Sequence, residues 1–324
     1  MSNAIRIHQT GGPEVLQWET VEVGDPEPGQ VRLRQSACGL NYIDVYGRTG
    51  LYPVGDFPAT LGMEAVGVVD AVGAGVDQLQ AGQRVAYPMC LGAYAEARLI
   101  DADKLVSIPD SISDETAAAM MLKGLTAHYL LFRTYPVKPG DDILVYAAAG
   151  GVGLILCQWA NLLGANVIGC VGSEDKARLA KANGCHHTIL YRDEDIASRV
   201  REITAGKGVA VAYDSIGKAT FEASLDSLQA FGVLATYGNA SGPVEPFSPA
   251  ILAGKGSLYV TRPTLATHIS TRELLQQGAE RLIDVVASGE VQICVNQTLA
   301  LADCAEAHRQ LEARETTGST VLKI

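Results

Sequence analysis

The feature that most constrains this chain is the alternation between Ile143 and Tyr237 of short apolar runs with helix-like stretches. It opens on a glycine-rich turn, Ala147-x-x-Gly150-x-x-Gly153. Ile143 to Tyr146 reads as a buried strand, and Val152 to Leu163 as an apolar helix that Gly164 can cap. Asn166 to Val171 reads as the next strand. It is followed by Thr188 to Leu190 with a helix facing inward through Ile196, Val200 and Ile203, by Val209 to Tyr213 with Phe221, Leu225 and Leu228, and by Val233 to Tyr237. Strands and helices in this alternation predict a parallel, doubly wound α/β sheet of the Rossmann type. Backbone N–H groups of the turn and the helix N-terminus then face an anion, and glycine lets a pyrophosphate approach closely. The turn departs from the G-x-G-x-x-G pattern, and the alternative is a tight strand-to-helix turn without a ligand.

The nucleotide is chosen at the end of the second strand. A site for NAD usually has a carboxylate there for the ribose hydroxyls, but this strand ends in Val171-Gly172-Ser173. Ser173 is placed to cap a helix whose first turn holds Glu174, Asp175 and Lys176. Lys176 can reach a 2′-phosphate, which favours NADPH; the alternative is an ordinary solvated helix lysine.

The 324 residues suggest about two domains, and 48% hydrophobic residues supply their cores. A formal charge of −11 without a dense basic cluster argues against nucleic-acid or acidic-membrane partners. Neither a membrane-length apolar stretch nor a signal-peptide core is present, so a cytoplasmic protein is expected. Seven cysteines without a C-x-x-C pair argue against a disulfide framework or a clustered structural metal site, and Cys157 and Cys170 fit core packing. Adjacent His186 and His187 point apart and have no third ligand nearby in sequence, so they read as a loop entering a strand. Residues 1–122 form short alternating runs broken by Gly, Pro and Asp, the texture of a β-rich domain. The expected division is this domain, a nucleotide-binding domain over 123–262, and a C-terminal segment over 263–324 that returns to the first domain, leaving the active site in the cleft between two lobes. Within that last segment, Thr271 to Ser288 and Ala302 to Arg314 read as helices and Thr320 to Ile324 as a strand. Ser257 to Thr261 is apolar enough to pair with its own copy, which predicts a homodimer.

The segments Cys38 to Tyr46, Leu61 to Gly67, Lys123 to Thr126, Gly140 to Gln158 and Val260 to Pro263 together resemble the medium-chain dehydrogenase/reductases. The resemblance is closest to the zinc-free NADPH:quinone oxidoreductases of the zeta-crystallin group, and it covers essentially the whole chain. One departure is Asn161, where that family usually has a basic residue. The resemblance implies a GroES-like catalytic domain beside the Rossmann-type domain. In similar zinc alcohol dehydrogenases the catalytic metal ligands match Asn41, Met63 and the Lys123–Gly124 region, which do not supply a usual zinc set. Only Cys90 lies where those enzymes carry a four-cysteine lobe. Without a Lewis acid to hold an alkoxide, reduction of an electron-poor quinone or enone is favoured over alcohol oxidation. The coenzyme supplies the hydride, and the protein supplies orientation and polarisation.

The resemblance also implies site residues. Asn41, Asp44 and Tyr46 match positions at the nicotinamide and substrate end, with Arg48 and Tyr52 following on the same loop. Tyr46 or Tyr52 is a candidate donor to a developing enolate or hydroquinone oxygen. The alternative for this group is a capped turn into a short helix, with Asp44 bonding local backbone. Arg262 is assigned either to substrate-pocket polarity or to a salt bridge between lobes. Coenzyme contacts are expected from Thr126, Gly150, Gly151, Val152, Gly153, Gly172, Ser173, Lys176, Tyr191, Gly238, Asn239, Ser241 and Arg314; the alternatives are a plain loop tyrosine for Tyr191, a bare turn for Gly238, Asn239 and Ser241, and a solvated helix-end arginine for Arg314, the account favoured there. The leading expectation is NADPH-dependent reduction of a quinone or enone. An enoyl-thioester reductase and a non-enzymatic NADPH-binding sensor or crystallin-like protein are the alternatives.

Overall fold

The computed structural model describes Met1 to Ile324. It divides into two compact units, the first made of Met1–Leu125, Ile269–Ala287 and Ile293–Ile324, the second of Thr126–His268 and Ser288–Gln292.

The first unit opens with β1 (Ser2–Ile7), β2 (Gln17–Val21), β3 (Gln30–Leu40), α1 (Tyr42–Thr49), β4 (Ala59–Thr60), β5 (Glu64–Val72), β6 (Arg84–Pro88), β7 (Ala97–Asp101), β8 (Val106–Ser107) and α2 (Asp114–Tyr129). The division between the units falls inside α2. Strand β3 shows why the early sequence reads as sheet: Val31 and Leu33 are buried while Arg32 and Arg34 turn outward. From Ala37 onward both faces of β3 are covered, apart from the half-buried start of α1, so Asn41 and Asp44 lie in the interior although they are polar. Such burial requires that their hydrogen bonds be met by other elements.

The second unit runs through β9 (Asp142–Tyr146), α3 (Gly151–Leu162), β10 (Asn166–Val171), α4 (Glu174–Ala182), β11 (His187–Leu190), α5 (Ile196–Ile203), β12 (Val209–Asp214), α6 (Phe221–Ser227), β13 (Leu228–Thr236), α7 (Ala250–Gly254), β14 (Tyr259–Thr261) and α8 (Leu265–His268). Its sheet is six-stranded and parallel in the order β11-β10-β9-β12-β13-β14. The order reverses at β9, which places the topological switch point where the glycine turn leaves that strand. The apolar positions of the alternation meet as one core that includes Leu144, Ile168, Ile189, Val200, Leu225 and Leu234. The final edge strand is shorter than its apolar run. Ser257 takes a left-handed φ of 56° and its N–H donates to Ala253 O at 3.4 Å, so it closes α7 and β14 starts at Tyr259. His186 uses Nδ1 to accept the Val167 N–H at 3.0 Å at the mouth of β11.

The chain closes with α9 (Arg272–Ala287), β15 (Val295–Ala300), α10 (Cys304–Glu312) and β16 (Ser319–Lys323), all in the first unit apart from the Ser288–Gln292 link. Strand β16 pairs antiparallel with β3, setting Leu322 opposite Cys38, and parallel with β15. The resulting sheet runs β15-β16-β3-β5-β6-β8, with β7 also on β3. No helix is long and apolar enough to cross a membrane.

Candidate functional site

In the second unit the turn after β9 has the geometry to accept an anion. Gly150 caps α3 in an extended conformation without a side-chain hydrogen bond, so the first N–H groups of the helix are left to an outside acceptor. Ala147 holds a left-handed φ of 49°, a conformation glycine normally supplies. A Cβ on Gly153 would stand 2.2 Å from Ala147 O and 2.8 Å from Ala148 Cα, so this helix packs on its strand only through glycine. The arrangement fits a pyrophosphate at Gly150, Gly151, Val152 and Gly153.

The neighbouring strand end carries the adenosine-side candidates. Ser173 caps α4, its Oγ accepting the Lys176 N–H at 3.4 Å, and Lys176 stands in the first turn. Gly172 lies against Tyr191, for a Cβ there would be 2.7 Å from the Tyr191 hydroxyl. Gly172, Ser173, Lys176 and Tyr191 are thus gathered at one end of the sheet. Of the two acidic neighbours that oppose a phosphate, Glu174 and Asp175, the second pairs with Arg178 and so loses part of its influence.

At the end of β12 the buried Asp214 organises the loops that follow. It accepts N–H bonds from Ile216 (2.7 Å) and Gly217 (3.1 Å) and hydroxyl bonds from Thr220 (2.7 Å) and Ser224 (3.0 Å). Ser241 ties the loop after β13 to it, accepting the Ala219 N–H at 3.0 Å and donating to Ile216 O at 2.8 Å. Gly238 packs against Ser215, where a Cβ would be 2.3 Å from the carbonyl oxygen, and Asn239 O accepts the Gly242 N–H. Arg262 donates to Thr236 O at 3.1 Å, and its charge acts on Tyr129, which stacks on His268 at 4.4 Å. Thr126 is buried in α2.

The first unit holds a second polar cluster. Asn41 opens α1: its N–H donates to Asp44 Oδ2 at 2.8 Å, and its Nδ2 donates to Glu64 Oε1 at 2.9 Å. Glu64, fully buried on β5, also accepts Lys123 Nζ at 2.9 Å and the Leu122 N–H at 2.7 Å. Asp44 Oδ2 takes a further bond from the Tyr94 hydroxyl at 2.8 Å, while Oδ1 is buried without a hydrogen-bond partner. Burial raises Asp44 to about 7, with Glu64 adding to the rise and Tyr94, the Asn41 N–H and Lys123 opposing it. Tyr46 is buried with its ring 5.2 Å from that of Tyr52, edge to face.

One expectation changes. Arg48 is not a loop residue beside the substrate candidates. It sits in the last turn of α1, 1% exposed, donating to Gly11 O at 3.1 Å and Glu312 Oε1 at 2.8 Å, because the returning α10 covers it. Arg314 follows α10 with a left-handed φ of 62° and belongs to the first unit, whereas Tyr191 belongs to the second. Glu64, Lys123, Tyr94 and His308 were not singled out as site residues. The only signal for the first two was their presence in the resembling segments, and for the others there was none.

Residues 27–110 match the alcohol dehydrogenase GroES-like domain, and residues 151–291 match the family described as zinc-binding dehydrogenase. The Glu64 carboxylate, saturated by three donors including an ammonium, does not fit a metal-ligand role. The chain is 50% identical to a quinone oxidoreductase of Pseudomonas aeruginosa and 47% identical to a 2-haloacrylate reductase of a Burkholderia species, with 99% of each chain covered in both cases. The structure of Escherichia coli quinone oxidoreductase complexed with NADPH superposes with a TM-score of 0.98 at 47% identity, covering 99% of this chain and 100% of that one. With the glycine turn, both matched domains and full-length identity in agreement, the chain belongs to the quinone oxidoreductase family of the medium-chain dehydrogenase/reductases.

Proposed function

We propose that this protein reduces quinones and related conjugated carbonyls with NADPH. The observation that carries the reading is the glycine turn at the switch point, with Ser173, Lys176 and Tyr191 gathered at the neighbouring strand end where no carboxylate closes β10. When bound, NADPH supplies a hydride to the acceptor. The N–H groups of Gly151, Val152 and Gly153 hold the diphosphate, and Lys176 holds the 2′-phosphate. In this reading the second unit binds the coenzyme, with Gly238, Asn239 and Ser241 near its nicotinamide end, and the first contributes Asn41, Tyr46 and Tyr52 toward the substrate. Arg262 adds positive charge to the acceptor pocket. The name of the 47%-identical relative widens the acceptor class to activated acrylates. We further propose that two copies pair through the β14 edge and that the protein works in the cytoplasm.

The test is NADPH oxidation at 340 nm with a naphthoquinone, phenanthrenequinone, 2-chloroacrylate and an enoyl thioester, with NADH in parallel. Turnover of the quinones with preference for NADPH is expected. Lys176→Ala should weaken NADPH binding about tenfold, equivalent to roughly 1.4 kcal/mol, and leave NADH within about twofold. Equal loss for both coenzymes removes the phosphate role, and tight NADPH binding without turnover of any acceptor removes the enzymatic reading.

A further inference from the structure

The Glu64 carboxylate closes a buried polar knot where the end of β3, the start of β5 and the middle of α2 meet. Three donors point at it: Lys123 Nζ and Asn41 Nδ2, each 2.9 Å from Oε1, and the Leu122 N–H, 2.7 Å from Oε2. Gly39 on β3 makes room for it, since a Cβ there would stand 2.2 Å from Glu64 Oε1 and 2.3 Å from Ala118 O. The chemistry of these partners fixes which way the Asn41 amide faces. An ammonium and a backbone N–H are donors only, so both oxygens of Glu64 act as acceptors. Turning the amide over would set Asn41 Oδ1 against Glu64 Oε1, two acceptors in contact inside the protein. Nδ2 therefore faces Glu64, and its second N–H is directed at Gly39 O, at 3.4 Å. Both hydrogens of the amide are committed within the first unit. What remains to Asn41 is Oδ1, and the Asp44 N–H of the α1 capping box occupies at most one of its two lone pairs. Asn41 is 6% exposed while Glu64 behind it is at 0%, so a ligand meets the asparagine and not the carboxylate.

We propose that Glu64 is a positioning residue which turns Asn41 so that it meets bound molecules only as a hydrogen-bond acceptor, and that its partner is the nicotinamide riboside half of the coenzyme. This rests on the coenzyme reading above. An acceptor needs an N–H or O–H opposite it. A quinone carries neither, whereas the ribose hydroxyls and the carboxamide of the coenzyme carry both. The oxygen that gains charge when a quinone takes a hydride needs donors, and Asn41 has none left to give it. Donation to that oxygen is left to Tyr46 or Tyr52, whose hydroxyls can give as well as accept. Lys123 and Leu122 both belong to α2, so the facing of a side chain at the start of α1 is set by a helix far along the chain.

The test begins with NMR of full-length protein labelled with 15N at asparagine, the Asn41 amide being assigned by its loss in Asn41→Ala. Before any coenzyme is added, both of its N–H protons should exchange with solvent at least about tenfold more slowly than those of an exposed asparagine. Dissociation constants are then measured by fluorescence titration for NADPH and by its displacement for adenosine 2′,5′-bisphosphate, which lacks the nicotinamide riboside. Asn41→Ala should weaken NADPH about three- to tenfold and leave the bisphosphate within about twofold. Glu64→Gln, whose amide cannot accept from all three donors, should weaken NADPH with the same selectivity. Where Asn41 is already alanine it should add less than about twofold. A loss that falls on both ligands and persists in the double variant overturns the positioning role. Fast exchange of the Asn41 protons, or an Asn41→Ala protein that keeps its NADPH affinity while quinone turnover collapses, overturns the acceptor role. If Glu64→Gln does not fold, the exchange rates of the wild type and the ligand selectivity of Asn41→Ala still decide. A wild type without affinity for NADPH overturns the coenzyme reading instead, and the exchange rates still fix the facing of Asn41.

Discussion

At the scale of single residues the glycine turn shows how two neighbouring positions with similar sequence standing differ physically. Ala147 is strained by its backbone conformation, while Gly153 is required by the space around it. Ala147→Gly should therefore be neutral or stabilise the fold by up to ~1 kcal/mol, because the left-handed conformation costs a residue with a Cβ. Gly153→Ala should destabilise by roughly 2 kcal/mol or more, since the new Cβ meets backbone atoms of Ala147 and Ala148 that have no rotamer with which to escape. Thermal denaturation of the two variants measures the contrast, and equal destabilisation would remove it. The glycines were legible as a turn in the sequence. Which position is governed by conformation and which by proximity was not, because proximity depends on how closely α3 packs on β9.

Single elements were legible where one periodicity dominated. The helix α3 and the strands of the parallel sheet follow directly from apolar runs bounded by glycine, and their ends moved by only a few residues. The edge strand moved more, since Ser257 is drawn into the turn closing α7. What remains of β14 is short, bonded on one side to β13, and carries Tyr259 at 60% exposure. A second copy is suited to cover it, so sedimentation velocity at micromolar concentration should show a dimer. Tyr259→Asp should raise the dissociation constant at least about tenfold by bringing like charges together across a two-fold axis. A wild-type monomer at these concentrations would remove the pairing. Helix α10 is the opposite case: Ala302 to Arg314 reads as a helix in the sequence, but only the return of the chain set His308 and Glu312 against Arg48.

At the scale of the whole molecule, the buried groups of the first unit tie stability to pH with opposing signs. His308 has a folded value of about 3, below its unfolded value, so its contribution is complete above about 6.5 and is lost as pH falls toward 3. Asp44 is raised to about 7, so its contribution is present below about 3.9 and is lost as pH rises through 7. Between about pH 4 and 6.5 the two offset each other. Removing the histidine should expose the carboxyl alone: from pH 7 to pH 5 the Tm of His308→Gln should fall less than that of the wild type, or rise. A larger fall in the variant would mean that His308 is charged in the fold. By itself the sequence determined the parallel α/β unit, the glycine turn after β9, the missing carboxylate after β10 and the β-rich first domain, because each is written in local periodicity or in a residue's presence at a strand end. Only tertiary structure decided the partners of Asn41, Asp44 and Glu64, because hydrogen bonds between residues as far apart as Arg48 and His308 depend on the chain's return to its first sheet. No pattern within a window of sequence carries that information.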